Sequence, residues 1–480
     1  MNAPLMISVA GIRGIVGESL TPEVVARFAA AFARGLPDRP VVVGRDARTS
    51  GPLVYHAVAS GIMAAGRSVI DIGLATTPTT QIAVEHLRAA GGIILTASHN
   101  PAPWNALKFL SERGEFLGVR EGARVRKQFE SGRGLWVPFD RLGSEASEGA
   151  ALEWHLERVL GLKMLDVPRI RSRALTIVVD GCASVGGVAV PRLLERLGAR
   201  VIEVDCVPDG RFTRELEPLP RHLSRLIRAV RESGADFGVA LDPDADRAAF
   251  VDGAGVPLGE EYTLALGAGV VLERKRGPVV TNLSTSRIVD AVCARAGVPL
   301  YRSAVGEAHV VAMMRARGAV AGGEGNGGMI VPDAHLGRDG LVATALVAQA
   351  VAASGKTVRE LADALPRLHM VKLKLPVPAE PWPRLAARLR KGFEALRVQA
   401  GDGLRFSRGD EWIHVRPSGT EPVVRVIAES PSEARTRELV VRAREALRPK
   451  AAPRSRTGRA AKAATFSRSA AGGPGRTRRR

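Results

Sequence analysis

The feature that most constrains this chain is a recurring unit, an apolar strand of small residues followed directly by a polar loop. The unit occurs as GGIILTASHN from residue 91, as DFGVALDPDADR from residue 236 and as GAVAGGEGNGG from residue 318. Short β-branched runs alternate with longer helical patterns around it, as in parallel sheets covered by helices. Because ligands of open α/β sheets bind at the carboxyl ends of strands, the repetition predicts three loops around one cleft.

The same alternation predicts individual elements. The predicted strands are Val41–Val43, Ile93–Leu95, Leu175–Val179, Val201–Val204, Phe237–Leu241, Val279–Val280 and Ala319–Ala321. The predicted helices are Pro22–Arg34, Pro52–Ala65, Val190–Leu197 and Arg221–Ser233. The alanine-rich stretch Val342–Ser354 is shorter than the roughly 18 to 20 residues that span a bilayer, so it predicts a buried helix.

The chain is too long for one ordinary core, since it has 480 residues. We predict an α/β fold, with three similar α/β domains of mixed sheets around a cleft and a smaller C-terminal α+β domain. In the last domain, Trp412–Val415 and Val423–Ala428 are predicted strands that flank a loop. The predicted domains are residues 1–148, 149–254, 255–368 and 369–448, followed by a disordered basic tail over 449–480.

The formal net charge of +20 is unevenly distributed, because residues 451–480 carry nine basic residues and no acidic ones. A tail of Ala, Gly, Ser and Pro cannot bury enough apolar area to fold. It lacks the interleaved aromatic residues of nucleic-acid stacking surfaces, so we expect non-specific contact with polyanions and no specific nucleic-acid partner. The remaining +11 suits phosphate substrates, although a solvated basic surface gives the same balance.

The cysteines indicate a reducing compartment. Cys182, Cys206 and Cys293 are odd in number and have no CxxC spacing, which disfavours a disulfide framework and a zinc site. No apolar stretch is long enough to span a membrane, and Arg13 interrupts the weakly apolar start where a signal peptide would lie. We therefore expect a cytoplasmic protein without a membrane partner.

The polar hexapeptide Thr96–Pro101 ends a buried apolar run. A serine at the end of a strand, Ser98, with His99 beside it, is typical of a nucleophile held in place for catalysis. An ordinary strand-ending turn has the same composition. The loops described next favour catalysis.

The segment Leu241–Arg247 places a carboxylate at every second position, at Asp242, Asp244 and Asp246. Such oxygens can converge on one Mg²⁺, and without a cation they repel each other. An Asp-rich turn is the alternative, while an EF-hand lacks its Gly and Glu completion here. Arg247 follows at once and is suited to gripping a phosphoryl group.

The segment Arg416–Pro422 lies between two predicted strands. Backbone N–H groups and hydroxyls of Ser418, Gly419 and Thr420 can wrap an anion, while Arg416 and Arg425 supply charge. A glycine-containing hairpin turn is the alternative. We interpret the segment as a phosphate-binding loop.

The segment Gly322–Gly328 is the third loop that follows a strand. Its Glu324 and Asn326 suit sugar hydroxyls better than phosphate, because a carboxylate repels an anion. A flexible turn without a ligand is an equal alternative. A dinucleotide-binding reading is disfavoured, since the glycine spacing and the partner acid are missing.

Further charged residues lie near these loops. Lys108 is interpreted as a general base or as an electrostatic anchor, and Arg13 is placed to reach the cleft. Arg45 and Arg48 are interpreted equally well as structural salt-bridge partners. A hydrolase triad has little support, because the chain has no GxSxG motif.

The ordered set TASHNP, DPDADR, GGEGNGG and RPSGTEP resembles the α-D-phosphohexomutase family, over about residues 5–445. The resemblance implies four domains around a deep cleft, with one motif from each. It implies a phosphorylated, Mg²⁺-bound Ser98 followed by His99, and Lys108 as the general acid/base. It also implies a metal loop with Arg247, a sugar loop with Glu324 and a phosphate loop from Arg416 to Thr420.

Departures from the family pattern bear on the sugar. Asn326 replaces a serine common in family sugar loops, and Gly328 stands where the mannose/glucose enzymes often carry histidine. The stretch Val305–Val310 and the RPSGTEP form are closer to phosphoglucosamine mutase-like members. We expect conversion of glucosamine 6-phosphate to glucosamine 1-phosphate, with phosphoglucomutase/phosphomannomutase activity as the alternative.

The expected cofactors are one Mg²⁺ per active site and a hexose 1,6-bisphosphate as activator and intermediate. The expected substrate is a small hexose phosphate, and the expected state is a monomer or homodimer. A different class, a sugar-phosphate or polyanion-binding protein without turnover, is disfavoured because serine, metal triplet and lysine are all present.

Overall fold

A computed structural model describes residues 5–377, 380–418 and 423–448 of the chain. The predicted basic tail and the predicted phosphate ligands Gly419 and Thr420 lie outside the described residues.

The first sheet is formed by the N-terminal part of the chain. Its strands are β1 (Met6–Ser8), β2 (Gly11–Ile15), β3 (Val41–Arg45), β4 (Val69–Leu74), β5 (Gly91–Leu95), β6 (Trp104–Leu110) and β7 (Glu145–Ser147), in the order β1-β2-β6-β5-β3-β4-β7. Its helices are α1 (Pro22–Arg34), α2 (Gly51–Ala64), α3 (Thr77–His86) and α4 (Val119–Ser131), and a 3₁₀ turn spans Phe139–Arg141.

The second sheet has the order β11-β10-β8-β9. The elements of this part are α5 (Ala151–Leu160), α6 (Val167–Ser172), β8 (Thr176–Asp180), α7 (Gly186–Arg196), β9 (Arg200–Val204), a 3₁₀ turn at Pro220–His222, α8 (Ser224–Ser233), β10 (Phe237–Leu241) and β11 (Ala248–Asp252).

The third sheet has the order β13-β12-β14-β15. The elements of this part are α9 (Glu261–Arg274), β12 (Val279–Asn282), α10 (Ile288–Ala296), β13 (Leu300–Ser303), α11 (Glu307–Arg317), β14 (Ala321–Glu324), β15 (Gly328–Ile330), α12 (Gly340–Ser354) and α13 (Val358–Asp363).

The first three sheets contain the same four-stranded unit. The order β6-β5-β3-β4 of the first sheet recurs as β11-β10-β8-β9 and as β15-β14-β12-β13. In each unit three strands are parallel, and the third strand in chain order is followed by a strand that pairs with it in the antiparallel direction. The three predicted loops all occupy this turn between the third and fourth strands. The repeated sequence unit therefore corresponds to a repeated fold.

The fourth sheet is antiparallel, in the order β16-β20-β19-β18-β17. Its elements are β16 (His369–Pro376), α14 (Trp382–Gly392), β17 (Arg397–Gly401), β18 (Gly403–Arg408), β19 (Glu411–Pro417), β20 (Val423–Ser430) and α15 (Glu433–Leu447). The predicted fold class, three α/β domains with mixed sheets and a smaller α+β domain, is confirmed.

The predicted strand Ala319–Ala321 is misplaced, because β14 begins at Ala321 and continues through the glycines to Glu324. A Cβ at Gly322 would lie 2.5 Å from Met314 Sδ of α11, so glycine lets the helix pack on the strand. Consequently Glu324 is the last strand residue, and the predicted loop is a hairpin turn of residues 325–327 only.

The predicted helix Arg221–Ser233 is shorter in the structure. Helix α8 begins only at Ser224, and a 3₁₀ turn at Pro220–His222 precedes it. The predicted buried helix at Val342–Ser354 is confirmed as α12, which lies in the core shared by the second and third sheets. Among the described helices, none combines the length and apolar character needed to cross a bilayer. The three cysteines are free and buried.

Replacing Leu346 of α12 with alanine removes a fully buried side chain from the shared core. We expect the free energy of unfolding to fall by about 2–5 kcal/mol, because a cavity remains where the side chain packed. Urea denaturation measures the change. Leu53→Ala, at a side chain that is 51% exposed, is the matched control and should shift the midpoint little.

Candidate active site

Ser98 lies in the turn between β5 and β6, and its Oγ donates a hydrogen bond to Asp242 Oδ2 at 3.0 Å. Its backbone is in the left-handed region, with φ of 48°. Thr96 Oγ1 accepts from the Ser98 N–H at 2.9 Å and holds this conformation on one side. Ser98 is 7% exposed, so the hydroxyl lies at the floor of the cleft, against the second domain.

His99 follows, and its Nδ1 lies 3.4 Å from Ser98 Oγ. Burial, together with the charges of Arg247, Lys374, Arg13 and Arg425, lowers the pKa of His99 well below its ordinary value. The imidazole is therefore neutral at physiological pH. The four cations come from the first, second and fourth domains, and cations converging in this way are suited to a phosphate group.

The side chains of Asp242, Asp244 and Asp246 are fully buried, and one oxygen of each lies within 4.8 Å of the others. Burial, and then the charges of Asp246 and Asp244, raise the pKa of Asp242. Oδ1 of Asp244 and Oδ1 of Asp246 are buried and have no hydrogen-bond partner. Carboxylate oxygens that are buried, converging and unpartnered fit a hard divalent cation.

Lys108 is on β6, next to the strand that precedes Ser98, and its Nζ lies 2.7 Å from Asp244 Oδ2. Thr77 Oγ1 donates to the same oxygen at 2.7 Å. Burial opposes ionisation of Asp244, but Lys108 outweighs it, so the pKa of Asp244 lies below its usual range. The predicted lysine therefore lies beside the predicted metal residues.

Two arginines balance the carboxylates. Arg247 Nε lies 3.7 Å from Asp242 and 3.5 Å from Asp246. Arg338, between β15 and α12, donates to Asp246 Oδ2 at 2.5 Å, Glu324 Oε2 at 3.0 Å and Glu307 Oε2 at 2.8 Å. Arg338 was not among the predicted site residues, because an arginine after a turn has no distinguishing motif.

Glu324 is 4% exposed, and protein donors engage both of its oxygens. Oε1 accepts from Asn282 Nδ2 at 2.7 Å and from the Gly306 N–H at 2.9 Å, while Oε2 accepts from Arg338. Burial opposes ionisation, but Arg338 and these donors hold the pKa of Glu324 below its usual value. In this conformation Oδ1 of Asn326 is the buried loop acceptor without a partner.

The fourth domain carries a row of cations. Arg425 of β20 is in register with Arg416 of β19 on one side and with Lys374 of β16 on the other. Arg416 donates to Asp402 at 3.1 Å, and the Ser418 N–H donates to the Val423 carbonyl at 2.8 Å. Lys374 was missed, because β16 is far from the motif in sequence.

Arg13 of β2 donates to Asn100 Oδ1 at 3.0 Å, which places it beside the segment Thr96–Pro101 that contains Ser98. A cavity of about 570 Å³ lies between the second, third and fourth domains. The cavity is lined by Asn326, Lys374 and Arg425. The turn after Glu324 and the cations of the fourth domain therefore face one space.

Four domain families match consecutive parts of the chain. They are the phosphoglucomutase/phosphomannomutase alpha/beta/alpha domains I (residues 6–134), II (155–255) and III (259–369), and the C-terminal domain (370–446).

Whole proteins match as well. A "Phosphoglucomutase/phosphomannomutase" of Thermococcus kodakarensis is 38% identical over 90% of this chain and 95% of its own length. A "Probable phosphoglucosamine mutase" of Methanopyrus kandleri is 37% identical over 89% of this chain and 94% of its own. The crystal structure of a phosphoglucomutase/phosphomannomutase family protein from Burkholderia thailandensis, 27% identical, has a TM-score of 0.81 and covers 92% of this chain and 96% of that one.

The chain belongs to the α-D-phosphohexomutases, the phosphoglucomutase/phosphomannomutase family. It is an enzyme, and the predicted class of intramolecular phosphotransferase is confirmed. One relative is named a phosphoglucomutase/phosphomannomutase and another a probable phosphoglucosamine mutase, so the names of the relatives differ in the sugar.

Mg²⁺ should stabilise the folded protein through the aspartate cluster. At about one hundred times its Kd, a ligand that binds only the native state adds about 2.7 kcal/mol. We expect Mg²⁺ to raise the Tm of the natural sequence and to raise it much less in Asp244→Asn, which weakens one ligand. Differential scanning calorimetry with EDTA and with Mg²⁺ measures both shifts. Asp333→Asn, at a surface ion pair with Lys275, should keep the full shift.

Proposed function

We propose that phospho-Ser98 transfers its phosphoryl group to a hexose phosphate and that the resulting bisphosphate returns its other phosphoryl group to Ser98. In the first step the bond from Ser98 Oγ to phosphorus breaks, and a bond from phosphorus to the sugar oxygen forms. The sugar then turns around, and the reverse transfer leaves an isomeric monophosphate. The hexose 1,6-bisphosphate is thus both the intermediate and the activator.

The observation that carries this proposal is the 3.0 Å contact between Ser98 Oγ and Asp242 Oδ2, which joins the serine to the aspartate cluster. Ser98, Asp242, Asp244 and Asp246 would hold one Mg²⁺, which would neutralise charge on the transferring phosphoryl group. Arg247 lies beside this group of oxygens and would grip the phosphoryl oxygens.

Lys108 would be the general acid/base that exchanges a proton with the sugar hydroxyl during transfer. Its position at 2.7 Å from Asp244 supports this role, because it brings Nζ next to the reacting oxygens. His99 and Arg13 lie beside Ser98, since His99 Nδ1 is near Ser98 Oγ and Arg13 donates to Asn100.

The non-reacting phosphate would bind to the fourth domain. Arg416, Ser418, Gly419, Thr420 and Arg425 are the proposed ligands, and Lys374 joins them because its strand is in register with Arg425. A fixed anion site of this kind can hold either phosphate of the substrate, so the same residues serve both orientations.

We propose glucosamine 6-phosphate and glucosamine 1-phosphate as the substrate pair, with the glucose and mannose phosphates as the alternative. The sequence features near Val305–Val310 and relatives named phosphoglucosamine mutase support the first. The buried, unpartnered Oδ1 of Asn326 can accept from a C2 ammonium, with Glu324 behind it supplying negative charge. A relative named phosphoglucomutase/phosphomannomutase supports the alternative.

The setting of the enzyme is also a proposal. A cytoplasmic location is supported by three free, buried cysteines. The state in solution is proposed to be a monomer or homodimer, and the basic tail is proposed to bind polyanions only non-specifically.

Ser98→Ala should lose most mutase turnover, at least about 10³-fold, because covalent transfer has no acceptor on the protein. Intact-mass and phosphopeptide analysis should find phosphate on Ser98 in the natural sequence and none in the variant. Ser111→Ala is the matched control, since Ser111 is equally buried and directly follows β6. Full mutase turnover in Ser98→Ala would contradict the proposed mechanism.

The sugar is decided by comparing kcat/KM for glucosamine 1-phosphate, glucose 1-phosphate and mannose 1-phosphate. We expect the glucosamine compound to be preferred, by about 10-fold or more, because one favourable ionic hydrogen bond contributes about 1.5–3 kcal/mol. Preference for either neutral sugar would favour the alternative. Asn326→Asp should increase the preference for the ammonium sugar.

A further inference from the structure

The Arg48 side chain is fully buried in the turn after β3, and every N–H of its guanidinium has an acceptor. Nε donates to Asp46 Oδ2 at 3.1 Å. The other four hydrogen bonds, of 2.5 to 3.0 Å, are accepted by main-chain carbonyls of residues 98–104, which we call the serine loop. The acceptors are Ser98, Asn100, Pro101 and Trp104. A guanidinium offers five N–H groups, so the donor capacity of Arg48 is fully used.

These carbonyls surround a strained residue. Ser98 has a positive φ of 48°, a region that costs a non-glycine residue about 1–3 kcal/mol unless its surroundings determine it. Thr96 Oγ1 holds the Ser98 N–H, and Arg48 holds the Ser98 carbonyl at 2.5 Å. The backbone of the nucleophile is thus fixed on both sides of its Cα.

The same turn also contacts the metal loop. The Ala47 N–H donates to Ser184 Oγ at 3.3 Å, and Ser184 Oγ donates to the Pro243 carbonyl at 2.6 Å. The Arg48 guanidinium lies 5.3 Å from the centre of the Phe212 ring of the second domain. One short turn therefore sets the position of Ser98 relative to the residue after Asp242.

We propose that Arg48 is a positioning residue for phosphoryl transfer, holding the strained Ser98 backbone so that its Oγ meets the aspartate cluster. Arg48 acts through main-chain carbonyls and touches neither the sugar nor the metal residues. The inference rests on the proposed function, because it assigns a transfer step that Arg48 supports. It departs from the expectation of a simple structural ion pair at this position.

Arg48→Lys tests this role, because lysine keeps the charge but cannot bond four carbonyls from a planar fork. We expect kcat to fall about 10²-fold, the loss typical of a small misplacement of a reacting group. KM for the hexose 1-phosphate should stay within about twofold, since the cation row and the sugar loop are intact.

Arg45→Lys is the matched control, at the last residue of β3. The Arg45 guanidinium pairs with the partly exposed Asp71 at 3.1 Å and, among the described residues, donates no hydrogen bond to residues 96–104. Arg45→Lys should keep kcat. An unchanged kcat in Arg48→Lys, an equal loss in Arg45→Lys, or a loss confined to KM would overturn the positioning role.

A second variant covers the case in which Arg48→Lys does not fold. Thr96→Val removes the acceptor of the Ser98 N–H and should give the same result, a lower kcat with KM retained. An unchanged kcat in Thr96→Val would then overturn the inference. Failure of the proposed function is a separate result, since the natural sequence would itself show no phosphate on Ser98 and no hexose phosphate turnover.

Discussion

Three buried carboxylates at one turn are the constraint on which the site depends. Asp242, Asp244 and Asp246 lie within 4.8 Å of one another and are shielded from solvent, so their mutual repulsion must be balanced locally. The balancing cations come from three domains, as Lys108 from the first, Arg247 from the second and Arg338 from the third. Removing one cation would leave a buried charge uncompensated, and such losses are strongly destabilising. The requirement for charge balance therefore also joins the domains.

The repeated four-stranded unit explains why these groups meet. In each of the first three sheets the functional turn follows the third strand of the unit and precedes the strand that pairs with it in the antiparallel direction. Ser98, the aspartate turn and the turn after Glu324 consequently occupy equivalent positions in their own domains. Arg338 connects two of these turns directly, since it donates to Asp246 and to Glu324. The fourth domain is built differently and contributes the cation row of Arg416, Arg425 and Lys374.

Patterns that are local in sequence were enough to predict the fold class and to single out residues that the structure brings together around Ser98. The Asp triplet and Ser98 could be recognised because their spacing alone implies their chemistry, and the structure places them in contact. Arg48 could not be recognised as more than an ion-pair partner, because its acceptors are carbonyls about 50 residues away. Arg338 and Lys374 likewise depend on tertiary contacts and strand register. The strand at Ala321–Glu324 was placed too early, because glycine has low strand propensity and its close packing on α11 is visible only in three dimensions.

A crystal structure with bound Mn²⁺, located by its anomalous scattering, tests whether the serine and the aspartates of two domains form one metal-centred site. We expect a single strong peak among Asp242, Asp244 and Asp246, with one oxygen of each and an oxygen of Ser98 or its phosphate at about 2.2 Å, slightly longer than Mg²⁺ distances. A peak elsewhere, or one that omits Ser98 and two of the aspartates, would contradict it.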